Sequence, residues 1–237
     1  MAVTPLAMGA QPVDAGVLDA LGENERRALS VLHALSPDAQ DRAVIHDVAP
    51  ADFVTRQAPY VGAEEWLDWV DLGIAGYETT DEDRERLRFV KGDPSGISGA
   101  DLTGEQLDAV RGLLLHYVET GPEELSRQYR DQVLAADPRD LRFAWAGGRA
   151  ADQAHYYRIS TRDLLVEADN AVAAGQHAHA VWRDLNNDLG QGLLLDHYAQ
   201  HGPDGRHLRR RLVSNRPTEN APLETDGWYV PEVYAKH

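Results

Sequence analysis

Four short runs in the second half of the chain decide the fold. They read FAWAGG (143–148), HYYRIS (155–160), LLVEADN (164–170) and QHAHAVWRD (176–184). Aromatic and β-branched residues dominate these runs, and breaks rich in Gly, Asp and Asn separate them, which is typical of short antiparallel strands joined by turns. A helix-like run, DLGQGLLLDHYAQH (188–201), follows. The stretch therefore predicts an antiparallel β-meander capped by a helix.

The chain before this stretch has a helical pattern. We predict that its first forty-odd residues are helical. Ser36 followed by Pro37 is a typical helix start, and Thr103 with a glutamine three residues later forms a capping box. The period changes from helical to alternating where FAWAGG begins. We therefore predict an α+β fold that forms one continuous domain. In it, a helical region (1–138) covers one side of a site that lies on the sheet region, which with its tail spans 139–237.

The histidine spacing in the strand-like runs predicts a site. His177 and His179 are two residues apart, so in a strand both imidazoles point to the same face, about 6–7 Å from each other. His155 lies on an earlier strand, and Glu167 and Asp169 lie on the strand between. If the three strands pair as neighbours, we expect these side chains to meet on one side of the sheet. Zinc, iron and copper favour such a histidine-rich set with a carboxylate.

We predict that His155, His177 and His179 bind one transition-metal ion, whose identity (iron, copper or zinc) the sequence leaves open. His197 and His201 are a further pair, four residues apart on one face of the last predicted helix. Zinc proteases with such a pair carry a glutamate directly after the first histidine, whereas this chain has a tyrosine there. That protease mechanism is therefore not supported, and whether the pair joins the site is open.

Three further residues of these runs are candidate catalytic groups. Glu167 can act as a general base or as a carboxylate at the metal, and an ion pair with Arg158 or Arg183 is the alternative. Arg183 is followed by Asp184, and we expect the two to form a buried pair. Tyr157 can relay a proton, although packing in a core is the more common role. We therefore name Glu167, Arg183 and Tyr157 as candidate catalytic residues.

The composition excludes several classes of partner. The 237 residues include 23 Lys and Arg against 39 Asp and Glu, a net charge of −16. Such an acidic surface repels nucleic acid and anionic lipid, so we expect neither as a partner. There is no cysteine, which rules out disulfides and thiolate ligands. The chain begins without a convincing signal peptide and has no apolar run of membrane-spanning length. We therefore expect a cytoplasmic protein that acts on a small molecule, with an oligomeric state that the sequence does not specify.

Several of these motifs resemble a family known as domain of unknown function 3500. The resemblance rests on HYYRI (155–159), VEADN (166–170), HAHAVWRD (177–184) and DLGQGLLLDHYAQH. It extends upstream through FAWAGG to GISGADLTGEQ (96–106) and so covers most of the chain. The family has no settled activity, so the resemblance implies where the site lies and does not imply a reaction.

The chain departs from the family pattern in places. Residues 160–162 read Ser-Thr-Arg where members have Gln-Gly-Pro, and Ala168, Gln176 and Ala178 stand where members have Tyr, Asn and Ile. These changes alter the lining of the predicted site. The shared polar residues are His155, Glu167, Asp169, His177, His179, Arg183, Asp184 and His197.

Three functional classes follow from these candidates. The first is a metal-dependent enzyme whose iron or copper does redox or oxygen-activating chemistry on a small organic substrate. The second is a zinc hydrolase or lyase, in which zinc lowers the pKa of its water to about 7 and Glu167 moves the proton. The third is a non-catalytic binding module with packed, paired histidines. We favour the first.

Overall fold

The computed structural model describes residues 4–12, 21–56, 58, 61, 70–172, 177–190 and 193. These residues form an α+β fold. The helices are α1 (Gly22–Ala34), α2 (Pro37–Ala43), α3 (Asp81–Leu87), α4 (Gly104–Val118) and α5 (Glu123–Ala135). The strands are β1 (Leu6–Ala10), β2 (Val44–His46), β3 (Ile97–Ser98), β4 (Arg142–Gly147), β5 (His155–Ser160), β6 (Leu164–Val172) and β7 (His177–Asp184).

All seven strands join one mixed sheet. Its order is β1-β7-β6-β5-β4-β2, and β3 pairs with β4 beside this path. Strands β4 to β7 are neighbours in chain order and antiparallel, which confirms the predicted meander. The β2–β4 pair is parallel. Most of the predicted final helix (188–201) lies outside the described residues, and its start forms a short 3₁₀ turn at Asp188–Gly190.

The N-terminal half is mostly helical, as predicted, but it also contributes strands. The prediction that its first forty-odd residues are all helical is wrong, because Leu6–Ala10 is the edge strand β1 and pairs antiparallel with β7. Every second residue of β1 packs against the main core, a period of two that five residues are too few to distinguish from a helical period. The predicted helix starts are confirmed. Ser36 accepts a hydrogen bond from the Ala39 amide, and Thr103 forms a capping box with Gln106.

The larger core lies between the sheet and the helices α1, α2, α4 and α5. Each strand of the meander contributes alternate residues to it, among them Trp145, Tyr157, Val166 and Trp182. We call this side of the sheet the helix face. Aromatic rings fill much of it: Trp145 stacks on Tyr157, with ring centroids 5.9 Å apart and planes 13° from parallel.

The other side of the sheet carries a smaller core. Apolar residues within 48–54 and 70–72, together with Leu87 of α3, pack on Ala144, Ala146 and Tyr156. We call this side the loop face. Three charged residues of the sheet, Arg158, Glu167 and Arg183, are at most 1% exposed and lie on this face, since they alternate with residues of the helix face. Among the described residues, no helix is long and apolar enough to cross a membrane.

Candidate metal centre

The loop face brings together part of the predicted histidine and carboxylate set. Asp169 of β6 and His179 of β7 are directly paired across the two strands. His177 lies two residues before His179 on the same face, and their ring centroids are 4.5 Å apart. The shared face follows from the two-residue period of a strand. One end of the meander therefore presents two imidazoles and a carboxylate to the loop that covers it.

His155 does not join this group. Tyr156, and not His155, is the residue of β5 that pairs with Asp169. Since neighbouring residues of a strand point to opposite faces, His155 and Tyr157 project from the helix face. The prediction that His155 meets His177 and His179 on one side of the sheet is therefore wrong. The register between β5 and β6, which no local pattern specifies, decides the matter.

His155 instead packs beneath the helices. Its ring stacks on Trp145 with centroids 4.7 Å apart, and its Nδ1 lies 2.9 Å from the Gln153 carbonyl oxygen. Its Nε2 is 3.7 Å from Glu25 Oε1. Burial lowers the pKa of His155, so the ring stays neutral around pH 7. These contacts are those of a core histidine.

Tyr157 is also part of the helix-face core. Its hydroxyl and that of Tyr117 share a hydrogen bond, and burial raises the pKa of Tyr157 well above its usual value. Both tyrosines line a cavity of about 20 Å³, which has room for about one water molecule. Tyr157 projects from the face of the sheet opposite to His177 and His179, and Asp169 and His179 also line part of this cavity.

The sequence did not reveal the third ligand candidate. Asp52 lies in the loop that follows β2, and this loop crosses the loop face. His179 Nδ1 is 3.5 Å from Asp52 Oδ1 and 3.5 Å from Asp169 Oδ2. One ligand atom from each of the three residues lies within 4.8 Å of the other two, so the group could hold a metal ion. Asp52 is far away in sequence and belongs to no motif, so only the covering loop identifies it.

The electrostatics of Asp169 are unusual. Its side chain is fully buried, and neither carboxylate oxygen meets the geometry of a hydrogen bond with a described residue. Burial, followed by the charge of Asp52, raises the pKa of Asp169 to about 8, and the Ala171 amide offsets only part of this shift. Buried polar groups normally have partners. Asp169 is therefore a carboxyl group that a proton or a cation must neutralise.

The hydrogen bonds around the histidines assign their tautomers. Gln11 Oε1 lies 2.7 Å from His177 Nδ1, and His177 Nε2 lies 2.7 Å from His179 Nε2. The amide oxygen only accepts, so His177 Nδ1 donates to it. In the tautomer assignment that follows, His177 Nε2 accepts from the N–H at Nε2 of His179. In this assignment the lone pair of His179 Nδ1 faces Asp52 and Asp169.

The site is open to solvent on one side. The side chains of His179 and Asp52 are 29% and 36% exposed. Phe53 borders the site with its ring 6.3 Å from that of His179 and nearly perpendicular to it. A metal ion bound by the three residues would therefore keep coordination positions that a substrate can reach.

Glu167 and Arg183, the two other predicted catalytic residues, lie on the loop face but are engaged by protein groups. The Glu167 carboxylate accepts from the Val54 and Thr55 amides and from the Tyr156 hydroxyl. Arg183 donates to two backbone carbonyls of the covering loop.

Arg183 forms a different ion pair from the one that the sequence predicted. Its charged partner is Asp188, with Nη1 3.1 Å from Asp188 Oδ2. The expected pair with Asp184 is therefore wrong, because successive strand residues point to opposite faces. Asp184 accepts instead from the Tyr129 hydroxyl on the helix face. The predicted pair of His197 and His201 lies outside the described residues.

The comparisons with known proteins point to one family. A family model described as "Protein of unknown function (DUF3500)" matches residues 1–191. No curated protein and no solved structure matches the chain. The matched range includes every residue of the candidate centre.

Proposed function

The chain belongs to the DUF3500 family, and on that premise we propose that it is a metal-dependent enzyme. In this proposal Asp52, Asp169 and His179 bind one transition-metal ion, which does redox chemistry on a small organic substrate. The single observation that carries the proposal is the convergence of two carboxylates on His179 Nδ1. His177 supports the site by holding the other nitrogen of that ring.

The spacing of the three groups suits a metal ion. Oxygen and nitrogen ligands about 2.1 Å from a metal lie roughly 3.0–3.4 Å apart in octahedral or tetrahedral geometry. The distance from His179 Nδ1 to each carboxylate is 3.5 Å, close to this range, and the three ligand atoms lie within 4.8 Å of one another. A divalent ion would also neutralise the two carboxylates, one of which is buried without a hydrogen-bond partner among the described residues.

The ligand types favour iron or manganese. Carboxylates suit manganese and magnesium, whereas imidazole suits iron, zinc and copper. Two carboxylates with one imidazole form a mixed set. The chain has no cysteine, and the predicted third imidazole, His155, lies on the other face of the sheet, which makes a copper site less favoured. An iron or manganese ion held by this set, with open positions, would provide the redox chemistry of the proposal.

His177 gives the proposed centre a hydrogen-bonded support. Histidines that bind metals commonly donate their second N–H to a protein acceptor, which orients the ring and raises its basicity. The Gln11–His177–His179 chain supplies this support from the residue after β1 and from β7. The ring of His179 is therefore held with Nδ1 toward the carboxylates before any ion binds.

Elemental analysis of untagged protein tests the proposal. We expect about one iron or manganese per chain in the wild type and loss of that metal in Asp169→Asn. Oxygen uptake by the loaded protein in the presence of small organic compounds then tests redox activity. Stoichiometric zinc would instead support the hydrolase or lyase alternative. A wild type that binds no transition metal at micromolar concentration would refute the proposal.

A further inference from the structure

The loop that brings Asp52 to the centre is fastened to the sheet by two buried charges. We define the site loop as residues 52–56 with Ala58. We propose that Glu167 and Arg183 are positioning residues, which hold the site loop so that the Asp52 carboxylate reaches the metal. This inference rests on the proposed function, and it assigns the two residues a role other than direct chemistry.

Glu167 binds the amide side of the site loop. Glu167 is 0% exposed. Its Oε1 accepts from the Val54 amide at 2.9 Å, and its Oε2 accepts from the Thr55 amide at 3.1 Å. The Thr55 hydroxyl donates to Oε2 as well, and the Tyr156 hydroxyl donates to Oε1 at 2.6 Å. The carboxylate is thus enclosed by donors, and three of them belong to the loop.

Arg183 binds the carbonyl side of the same loop. It is 1% exposed, and its guanidinium donates to the Arg56 oxygen at 2.9 Å and to the Ala58 oxygen at 2.7 Å. Asp188 pairs with the same guanidinium, with its Oδ2 3.1 Å from Nη1. A buried anion therefore binds the loop's N–H groups, and a buried cation binds its carbonyls.

The backbone conformation of Arg56 is consistent with a loop that these hydrogen bonds hold in place. Arg56 has a φ of 41°, in the left-handed region that residues other than glycine rarely adopt. Such a conformation persists where the surroundings impose it. The Arg56 carbonyl is one of the two that Arg183 binds, so the unusual conformation lies at an anchoring point.

The same two strands carry both the ligands and the anchors. Glu167 lies two residues before Asp169 on β6, and Arg183 lies four residues after His179 on β7, so all four side chains project from the loop face. The sheet therefore supplies two ligands directly and fixes the loop that supplies the third. Hydrogen bonds that orient a metal ligand commonly change metal affinity by about 10–100-fold.

The test compares two buried arginines of the loop face. Arg183→Gln removes an anchor of the site loop. Arg158→Gln is the matched control, because Arg158 is also 1% exposed but donates to Leu87, Arg88 and Ser95, outside the site loop. Titration with Co²⁺ reports affinity, and its visible absorption reports the ligand set. We expect Arg183→Gln to lose about 10–100-fold in Co²⁺ affinity, and Arg158→Gln to stay within about 3-fold of the wild type when its fold is intact.

Glu167→Gln extends the test to the other anchor. The carboxamide keeps the size of the side chain but points an NH₂ group at loop donors. We expect the Co²⁺ spectrum of Glu167→Gln to resemble that of Asp52→Ala, which a general loss of stability would not produce. Thr55→Val is a milder variant for the case that Glu167→Gln does not fold. It removes only the hydroxyl bond to Glu167, and we expect a loss of about 2–5-fold.

The outcomes separate this inference from the proposed function. Absence of Co²⁺ binding by the wild type would refute the proposed metal site and this inference with it. Normal wild-type binding, together with folded Arg183→Gln and Thr55→Val variants of unchanged affinity and spectrum, would refute the positioning role alone. An equal loss in Arg158→Gln and Arg183→Gln would also refute it, because the effect would then follow general stability.

Discussion

Asp169 and His179 are paired directly across β6 and β7, and the Asp169 Oδ2 lies 3.5 Å from His179 Nδ1. Neither the Asp169 carboxylate nor that nitrogen has a hydrogen-bond partner among the described residues. A ring nitrogen and a buried carboxyl group thus face each other across a gap that suits a cation. The predictions below follow from this relationship.

Removing either paired residue should abolish metal binding. Asp169→Asn and His179→Ala each delete a proposed ligand, and we expect a loss of metal affinity of about 100-fold or more in each. Competition titration with a chromophoric chelator measures the affinity, and far-ultraviolet circular dichroism checks the fold. Retention of the metal by a folded His179→Ala variant would show that the ligand assignment is wrong.

His155→Ala should lower stability and leave metal binding unchanged. The ring stacks on Trp145 in the helix-face core, so its removal leaves a cavity and should lower the free energy of unfolding by about 2–4 kcal/mol. The metal content should stay at the wild-type level because the sheet lies between His155 and the centre. Urea denaturation and elemental analysis of the same sample measure the two quantities. A loss of metal at unchanged stability would contradict the placement of His155.

His177 should act through the ring of His179. Its Nε2 accepts the N–H of His179 in our tautomer assignment, so His177→Leu removes the acceptor and should weaken metal binding by about 10–100-fold. His177→Gln offers an amide oxygen in its place and should recover part of the loss. If His177→Leu bound the metal as tightly as the wild type, His177 would have no role in the site.

The stability of the metal-free protein should depend on pH through Asp169. Its pKa is about 8 in the folded protein against an ordinary value of 3.8. The unfolded chain therefore gives up this proton first, so the contribution stabilises the fold at low pH and is lost as pH rises from about 4 to 8. The loss is at most about 1.4 kcal/mol per pH unit. The urea midpoints of the wild type and of Asp169→Asn, measured across this pH range, report the loss. If the two midpoints changed with pH in parallel, the raised pKa of Asp169 would be contradicted.

Metal binding should release the same proton. A metal ion competes with the proton on Asp169, so the apparent affinity should rise by up to about 10-fold per pH unit below pH 8 and level off above it. Calorimetric titration in two buffers of different ionisation enthalpy counts the protons released. We expect close to one proton from this carboxyl group at pH 7. Binding without a pH-dependent release would mean that Asp169 is already ionised or is not a ligand.

The sequence by itself determined the four strands of the meander and the alternation of side chains within each of them. The runs from Phe143 onward became β4 to β7, and the two-residue spacing of His177 and His179 placed both on one face. The Thr103 capping box and the Ser36 helix start were confirmed for the same reason. Each depends on residues a few positions apart, whose relation the local backbone geometry dictates.

The tertiary structure alone decided which strand faces coincide and what covers them. A one-residue difference in pairing would have placed His155 beside Asp169, and nothing within either strand excludes it. Asp52 reaches the centre because Glu167 and Arg183 fasten its loop over the sheet, a contact between distant parts of the chain. Strand register and loop position depend on packing across the whole domain. The local sequence pattern could therefore indicate at which end of the meander the centre lies, but it could not identify all of the ligands.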